Sequence, residues 1–279
     1  MIRHQFAVRS FLGALLICAS SLLASGQSQQ PGQALPLADP LEATPNRPSS
    51  SNSAEVLEPG VLQWEYGWSR GWEGMGANNS DLGGELRCGL LNRVELRWGG
   101  GTFLTQFDGA QTKTGFGDQY LGGQVVVGKE STKVPAIALS YAIKFPTASE
   151  SEGLGTGRID HAFTFLASKN IHDFSVDFNA VAQILGRDGI TGFDKNGVAI
   201  LTISHGIFGP VGAIGEVSGE TRLDQTTPAF ATNLWALTYR IDKRFVVDCA
   251  FEAGLTPGAP QKRILFGFTY AIAKLGHGR

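Results

Sequence analysis

The sequence predicts an all-β protein, a transmembrane antiparallel up-and-down β-barrel of twelve strands occupying residues 57–279. Three observations carry this. From Val61 onward, segments of about ten residues alternate apolar and polar side chains. The connections between these segments alternate between short and long. Glycine makes up 37 of the 279 residues, roughly twice its usual share, which suits sheets that bend sharply or close on themselves.

The first strand, 61–71, has Leu62, Trp64, Tyr66 and Trp68 on one parity and Gln63, Glu65, Gly67 and Ser69 on the other. Successive strand side chains point to opposite faces, so one face is aromatic and the other polar. Strands at 81–90, 93–103, 116–127, 135–146 and 160–169 follow. In 173–185, Phe174, Val176, Phe178, Ala180, Ala182 and Ile184 oppose Ser175, Asp177, Asn179 and Gln183. After 196–207, 211–221 and 229–240, the strand at 245–255 sets Phe245, Val247, Cys249, Phe251 and Ala253 against Asp248 and Glu252. The last strand, 262–272, sets Ile264, Phe266, Phe268, Tyr270 and Ile272 against Gly267 and Thr269. These lengths suit tilted membrane strands, which need about 9–11 residues.

In water the apolar parity would fold inward; in a bilayer it would face lipid. Loop sorting favours the second arrangement. Short connections fall at 91–92, 128–134, 170–172, 208–210 and 241–244, and longer ones at 72–80, 104–115, 147–159, 186–195, 222–228 and 256–261. Outer-membrane barrels have short periplasmic turns and longer extracellular loops, which would place both termini in the periplasm. Trp64, Trp68, Trp72, Trp98, Trp235, Tyr239, Phe245 and Tyr270 lie toward strand ends or on the apolar parity, as interfacial girdles require.

The N-terminus supplies an address. Arg3, His4 and Arg9 precede an apolar run from Phe11 to Leu23, and small residues follow at Ala24, Ser25 and Gly26. This describes a cleaved signal peptide over 1–26. The run is shorter than the roughly 20 residues of a membrane helix. A lipid-anchoring reading of Cys18 fails at Ile17, where a small residue is needed. Residues 27–56, rich in Gln, Pro and Ser without period, are expected to be a disordered periplasmic leader.

Charge is nearly balanced, with 23 basic and 25 acidic residues, so no basic stripe announces a nucleic-acid partner. After cleavage, Cys88 and Cys249 remain, both on the apolar parity. Their strands would be three apart around a closed barrel, roughly 14 Å at about 4.8 Å per strand, too far for a disulfide.

Several segments carry a family resemblance. Leu57-Glu58-Pro59-Gly60 leads into the first strand, and Gly115-Phe116-Gly117-Asp118 is followed by Leu121-Gly122. Phe145-Pro146-Thr147 precedes Gly153-Leu154-Gly155-Thr156-Gly157. Together, over roughly 55–272, these resemble the outer-membrane proteins grouped as "MetA-pathway of phenol degradation". The resemblance implies a β-barrel in the outer membrane of a Gram-negative bacterium, with uptake of small, including aromatic, molecules. The chain departs from the family pattern at Ala148, where glycine is usual, and in running seven residues past Ile272.

With the apolar parity facing lipid, the other parity lines the lumen: Glu65, Glu85, Arg87, Glu95, Arg97, Asp118, Gln124, Lys144, Asp177, Asn179, Glu216, Arg240, Asp248 and Glu252. Two readings of this mixed lining stay open. In one, carboxylates and guanidiniums pair and rigidify the wall. In the other, they form a constriction selecting small solutes. No catalytic, cofactor-binding or metal-binding residue is expected. His205 follows Ser204 directly, and adjacent strand residues point to opposite faces, so they cannot act as base and nucleophile; Asp160-His161 fails in the same way. The glycine-rich 153–157 lacks the lysine and helix of a phosphate loop. The expectation is a monomer for passive uptake of small molecules, partnered by outer-membrane lipid, a small-molecule solute and the barrel-assembly machinery. The alternative is a non-conducting barrel, either closed in the membrane or soluble in the periplasm with a lipid-like ligand.

Overall fold

The computed structural model describes residues 41–73, 76–187, 192–223 and 228–276. Its strands are β1 (Val61–Trp72), β2 (Asn78–Leu91), β3 (Val94–Phe107), β4 (Thr112–Gly115), β5 (Gln119–Gly128), β6 (Ala136–Phe145) and β7 (Asp160–Ile171). They continue with β8 (Phe174–Gly186), β9 (Phe193–Phe208), β10 (Val211–Glu220), β11 (Phe230–Arg240), β12 (Phe245–Gly254) and β13 (Lys262–Lys274). All pairings are antiparallel. β1 pairs with β2 on one side and β13 on the other, and β2 pairs with β3, so the sheet closes. The short β4 pairs only with β3, and the other twelve strands form the wall. Among the described residues there is no α-helix.

The alternation read from the sequence becomes two surfaces. On β5, Leu121, Val125 and Val127 are exposed, whereas Tyr120, Gln124 and Val126 are buried. On β11, Trp235, Leu237 and Tyr239 point outward and Leu234 and Ala236 inward. Closure leaves no open edge in the wall, so each of its twelve strands finds hydrogen-bonding partners on both sides. The short-turn end of the wall carries an aromatic cluster. Trp64 meets Phe268 edge-on at 5.1 Å, Phe245 lies 5.6 Å from Phe268 and 5.9 Å from Tyr270, and Arg244 stacks over Tyr270 at 5.1 Å. Cys88 and Cys249 are not joined by a disulfide.

Two expectations are corrected. The first is the 104–115 loop and the strand at 116–127. The structure extends β3 to Phe107, folds it back on β4, and begins β5 only at Gln119. Between them the chain crosses at Gly117, whose N–H donates to the Gly101 carbonyl at 2.9 Å while Gly101 N–H donates to the Asp118 carbonyl at 3.2 Å. Gly101 and Gly117 approach so closely that a Cβ on either would collide with the other's backbone, which is why this irregular crossing falls on two glycines.

The second correction concerns the leader. Residues 41–58 are not a loose periplasmic tail but lie inside the barrel, in contact with the inner faces of β1, β3, β5, β7–β10 and β12. Ala43 packs with Val246, Ala271 and Leu41, and Ala54 packs with Ala136, Ala138 and Leu166. A polar segment without periodicity cannot build its own core, but a closed barrel offers one ready made. Residues 27–40, the signal-peptide expectation over 1–26 and its cleavage site lie outside the described residues.

Candidate functional site

The site is the lumen together with the segment threaded through it. The chain leaves the start of β1 at the short-turn rim, crosses the interior and returns to the same rim, where Ala43 N–H donates to the Lys243 carbonyl at 2.8 Å. Having no strand partner along this path, the segment hands its backbone donors to wall side chains. Leu57 N–H donates to Glu95 at 2.9 Å and Ala54 N–H to the Ser168 hydroxyl at 2.7 Å. Asn179 both accepts from Asn52 N–H and donates to its carbonyl, each at 2.8 Å. Ser50 N–H donates to Glu216 at 2.8 Å, Arg47 N–H to Glu65 at 3.0 Å, and Thr44 N–H to Gln63 at 2.9 Å. Buried amides left unpaired would each cost about 1–3 kcal/mol, so the polar inner parity is the complement of this backbone.

Beneath the segment lies a charged cluster. The Arg87 guanidinium sits between Glu65, at 2.8 Å, and Glu95, at 3.0 Å. Arg97 reaches Glu95 at 2.7 Å and the Gln124 carbonyl oxygen at 2.8 Å. Glu85 accepts from the Tyr120 hydroxyl at 2.9 Å. Further along the same wall, on β12, Asp248 pairs with Arg47 from the threaded segment at 3.2 Å. Its guanidinium fits because Gly67 and Gly267, paired across β1 and β13, leave the wall bare; a Cβ at either would collide with it.

Toward the long-loop end the interactions change. Lys144 bridges Asp118 at 2.8 Å and Asp160 at 2.6 Å. Asp118 also accepts from Ala148 N–H at 3.0 Å, and the Thr147 hydroxyl donates to the Gly117 carbonyl at 3.0 Å. Leu154, buried at 4% exposure, lies so close to Gly115 that a side chain there would strike it. The segments at 115–118, 145–147 and 153–157, separate in sequence, thus assemble into one cluster pinning the 146–159 loop. On the far side Arg263 pairs with Glu252 at 3.3 Å, and on the neighbouring strands β8–β10 Asn196 donates to Gln183 at 3.2 Å and to Glu220 at 2.5 Å.

The structure therefore gathers Glu65, Glu85, Arg87, Glu95, Arg97 and Gln124 into one charged cluster, while Asn179, Glu216 and Asp248 on the wall bind the threaded segment. Asp118 and Lys144 join the long-loop cluster, and Glu252 pairs apart from both. Asp177 sits apart, accepting from the Ser168 hydroxyl at 2.5 Å. Arg240 lies at the short-turn rim, donating to the Ala43 carbonyl at 3.2 Å. The lumen set read from the sequence leaves out Gln63, although it lies on the polar parity, as well as Ser168 and Thr202, which are uncharged but equally buried, and it misses Arg47 because the leader has no period to read. No group of three or more potential metal ligands occurs among the described residues.

A closed barrel with apolar outside and polar inside is the architecture of outer-membrane barrels, and solved structures bear the likeness out at the level of fold. The "COG4313 outer membrane channel from Pseudomonas putida F1" is 11% identical, covers 80% of this chain and all of its own, and superposes with a TM-score of 0.63. The KdgM porin, solved "in complex with disordered oligogalacturonate", covers 76% of this chain and 99% of its own at 13% identity, with a TM-score of 0.51. The NanC porin covers 76% of this chain and all of its own at 9% identity, also with a TM-score of 0.51. No curated protein is similar enough in sequence to serve as a relative. The chain belongs to the family described as "Putative MetA-pathway of phenol degradation", which it matches over residues 45–270. That match includes most of the threaded segment as well as the wall.

Proposed function

We propose that this protein is a monomeric outer-membrane channel for passive permeation of small molecules, inserted by the barrel-assembly machinery after export through a cleaved signal peptide, with its N-terminal segment setting the width of the path. The observation that carries this is the segment 41–58 held in the lumen by side-chain-to-backbone hydrogen bonds, the Arg47–Asp248 ion pair and two small alanine anchors. A β-strand in that position would be fixed by a continuous ladder. Here the contacts are discrete rather than a ladder, so the segment can shift without unfolding the wall. Small apolar or aromatic molecules are the favoured cargo. The family description points that way, and so does the apolar inner patch of Leu234, Ala236, Ala250 and Leu265, with Ile214 against it.

A second reading, a closed non-conducting barrel, is favoured by the depth of burial of the segment, with Ala43 and Ala54 fully inaccessible. One experiment separates the two. The full chain and a variant lacking residues 41–57 are inserted into liposomes and their swelling rates compared in solutes of increasing size. A channel gives size-limited swelling for the full chain and faster swelling for the deletion. A barrel that is closed by its segment gives none for the full chain and some for the deletion. A boiling-dependent gel shift confirms in each case that the inserted protein is a folded barrel.

A further inference from the structure

The lumen holds more negative charge than its cations neutralise, and the excess lies on one stretch of wall. Each inward cation of the wall and of the threaded segment meets a carboxylate. Arg87 lies between Glu65 and Glu95, Arg97 on Glu95 and Arg47 on Asp248. Lys144 takes Asp118 and Asp160, Arg263 takes Glu252, and Arg240 takes Glu42 at the rim, at 3.3 Å. Across β8–β10 the pattern changes. The inward parity there carries Asp177, Glu216 and Glu220 but no lysine or arginine; Asp194, on the same parity, is matched by Arg187 just beyond β8. Among the described residues none of the three carboxylates has a cationic partner. Neutral donors hold them instead: the Ser168 hydroxyl holds Asp177 at 2.5 Å, the Asn196 amide holds Glu220 at 2.5 Å, and the Thr202 hydroxyl and Ser50 N–H hold Glu216 at 3.0 and 2.8 Å.

Asp177 registers with Thr202, and Thr202 with Glu216, so these two carboxylates stand about 10 Å apart in one row. Glu220 follows four residues further along β10, about 13 Å toward the long-loop end. The threaded segment passes between, where Ser50 meets Glu216 and Asn52 meets Asn179. Asp177 therefore lies on the short-turn side of this crossing and Glu220 on the long-loop side, both half-buried. Glu55, exposed where the segment runs back to the rim, adds a carboxylate with no ion pair among the described residues. Outside the lumen both signs are present. The long-loop end carries Lys113, Arg158 and Arg222 together with Asp108, Glu150 and Glu152. The short turns carry Lys129, Lys133 and Lys243 together with Asp173 and Asp242.

We infer that this uncompensated stretch makes the path selective for cations, with Asp177 and Glu220 as the residues that set the preference. The inference rests on reading the protein as a channel, and it names the charge of the solutes admitted. Uncharged and cationic small molecules pass, while carboxylates and phosphates of the same size are held back. The determinant is a field along the path, not a binding site. A wall that needed rigidity alone would pair its carboxylates with guanidiniums, as β1–β3 do. Carboxylates held by hydroxyls and amides keep their charge unbalanced, and in a narrow passage with low-dielectric walls that charge concentrates ions of the opposite sign.

The test is the reversal potential of the full chain in a planar bilayer between unequal KCl concentrations. The expected result is K⁺ permeating about tenfold more readily than Cl⁻ at low salt. The preference should shrink as salt rises from about 0.1 M to about 1 M and the Debye length falls from about 10 Å to about 3 Å. In Asp177→Asn/Glu220→Gln the two ions should permeate nearly alike. These replacements keep an acceptor for Ser168 and Asn196, and a boiling-dependent gel shift shows that the barrel is folded. Asp173→Asn, the same change of charge in an exposed turn, should leave the preference as it is. Equal permeation, or a preference for Cl⁻, in the unmodified chain overturns the inference without any variant. So does a double variant as selective as the unmodified chain, or an equal loss in Asp173→Asn. Absence of current from a folded, inserted full chain would instead overturn the channel reading, and this inference with it.

Discussion

Glu95 is the residue on which the inner wall depends most. It is fully buried, accepts from Arg87 and Arg97, and takes the Leu57 amide at 2.9 Å. Removing it leaves buried Arg97 without its carboxylate and Arg87 with Glu65 alone, and also releases the threaded segment where it joins the barrel. Breaking a buried pair by deleting one partner typically costs about 3–5 kcal/mol. Glu95→Ala should therefore lower the denaturant midpoint of the compact form strongly. Glu252→Ala should barely move it, because its partner Arg263 is a quarter exposed and such pairs contribute at most about 1 kcal/mol. Equal effects of the two substitutions would mean that the cluster is hydrated and the wall does not depend on it.

At the scale of elements, the barrel's two ends are tied down by different chemistry. The turn after β5 is held by Glu130, which accepts from Lys169 at 2.8 Å and from the Asn170 amide at 3.0 Å. These hydrogen bonds, the Lys169 one foremost, hold its carboxyl below its ordinary value of 4.5. A depressed folded pKa contributes stability that is present above the unfolded value and lost as pH falls through the folded one. Amide exchange at Asn170 should accordingly stay slow at neutral pH and quicken only on acidification below the ordinary glutamate range; exchange independent of pH in that window, after correction for intrinsic rates, would remove Glu130 from this role. At the other end, Lys144, Asp118 and the 146–159 loop form one latch. Asp118→Ala removes an ion pair and the acceptor for Ala148, hydrogen bonds to a charged group being worth about 1.5–3 kcal/mol. Trypsin should then cut the loop at Arg158 roughly ten- to a hundredfold faster, with the wall intact; an unchanged rate would show that the loop is held by Leu154 alone. Much of this was legible in the sequence. Parity alone put Arg87, Glu95 and Lys144 on one face, because a strand's period of two is local. Which carboxylate each cation meets depends on register between strands, and the Gly67–Gly267 gap for Arg47 joins residues from opposite ends of the chain, so neither has a local trace. The leader was misread for a related reason: its polar composition describes a chain that cannot fold alone, and says nothing of a barrel that can hold it.

For the whole molecule, the open question is whether the threaded segment is a fixed part of the pore wall or must move for solutes to pass. Its contacts are polar, separate and spread over most of the wall, which favours movement, while the burial of Ala43 and Ala54 resists it. The structure offers a place to decide between them. The Ser51 and Thr202 hydroxyl oxygens are 2.7 Å apart, so cysteines at these positions bring two sulfurs within reach of a bond that needs about 2.05 Å. The native Cys88 and Cys249 belong to the outward parity, so replacing both with alanine leaves the lumen as it is. In that background, Ser51→Cys/Thr202→Cys should form an intramolecular disulfide under oxidation and swell liposomes at the unmodified rate when reduced. If the segment must shift, oxidation should abolish swelling and reduction should restore it. If the segment is a fixed lining, oxidised and reduced protein should conduct alike, and the width of the path would be set by the static gap beside residues 41–58.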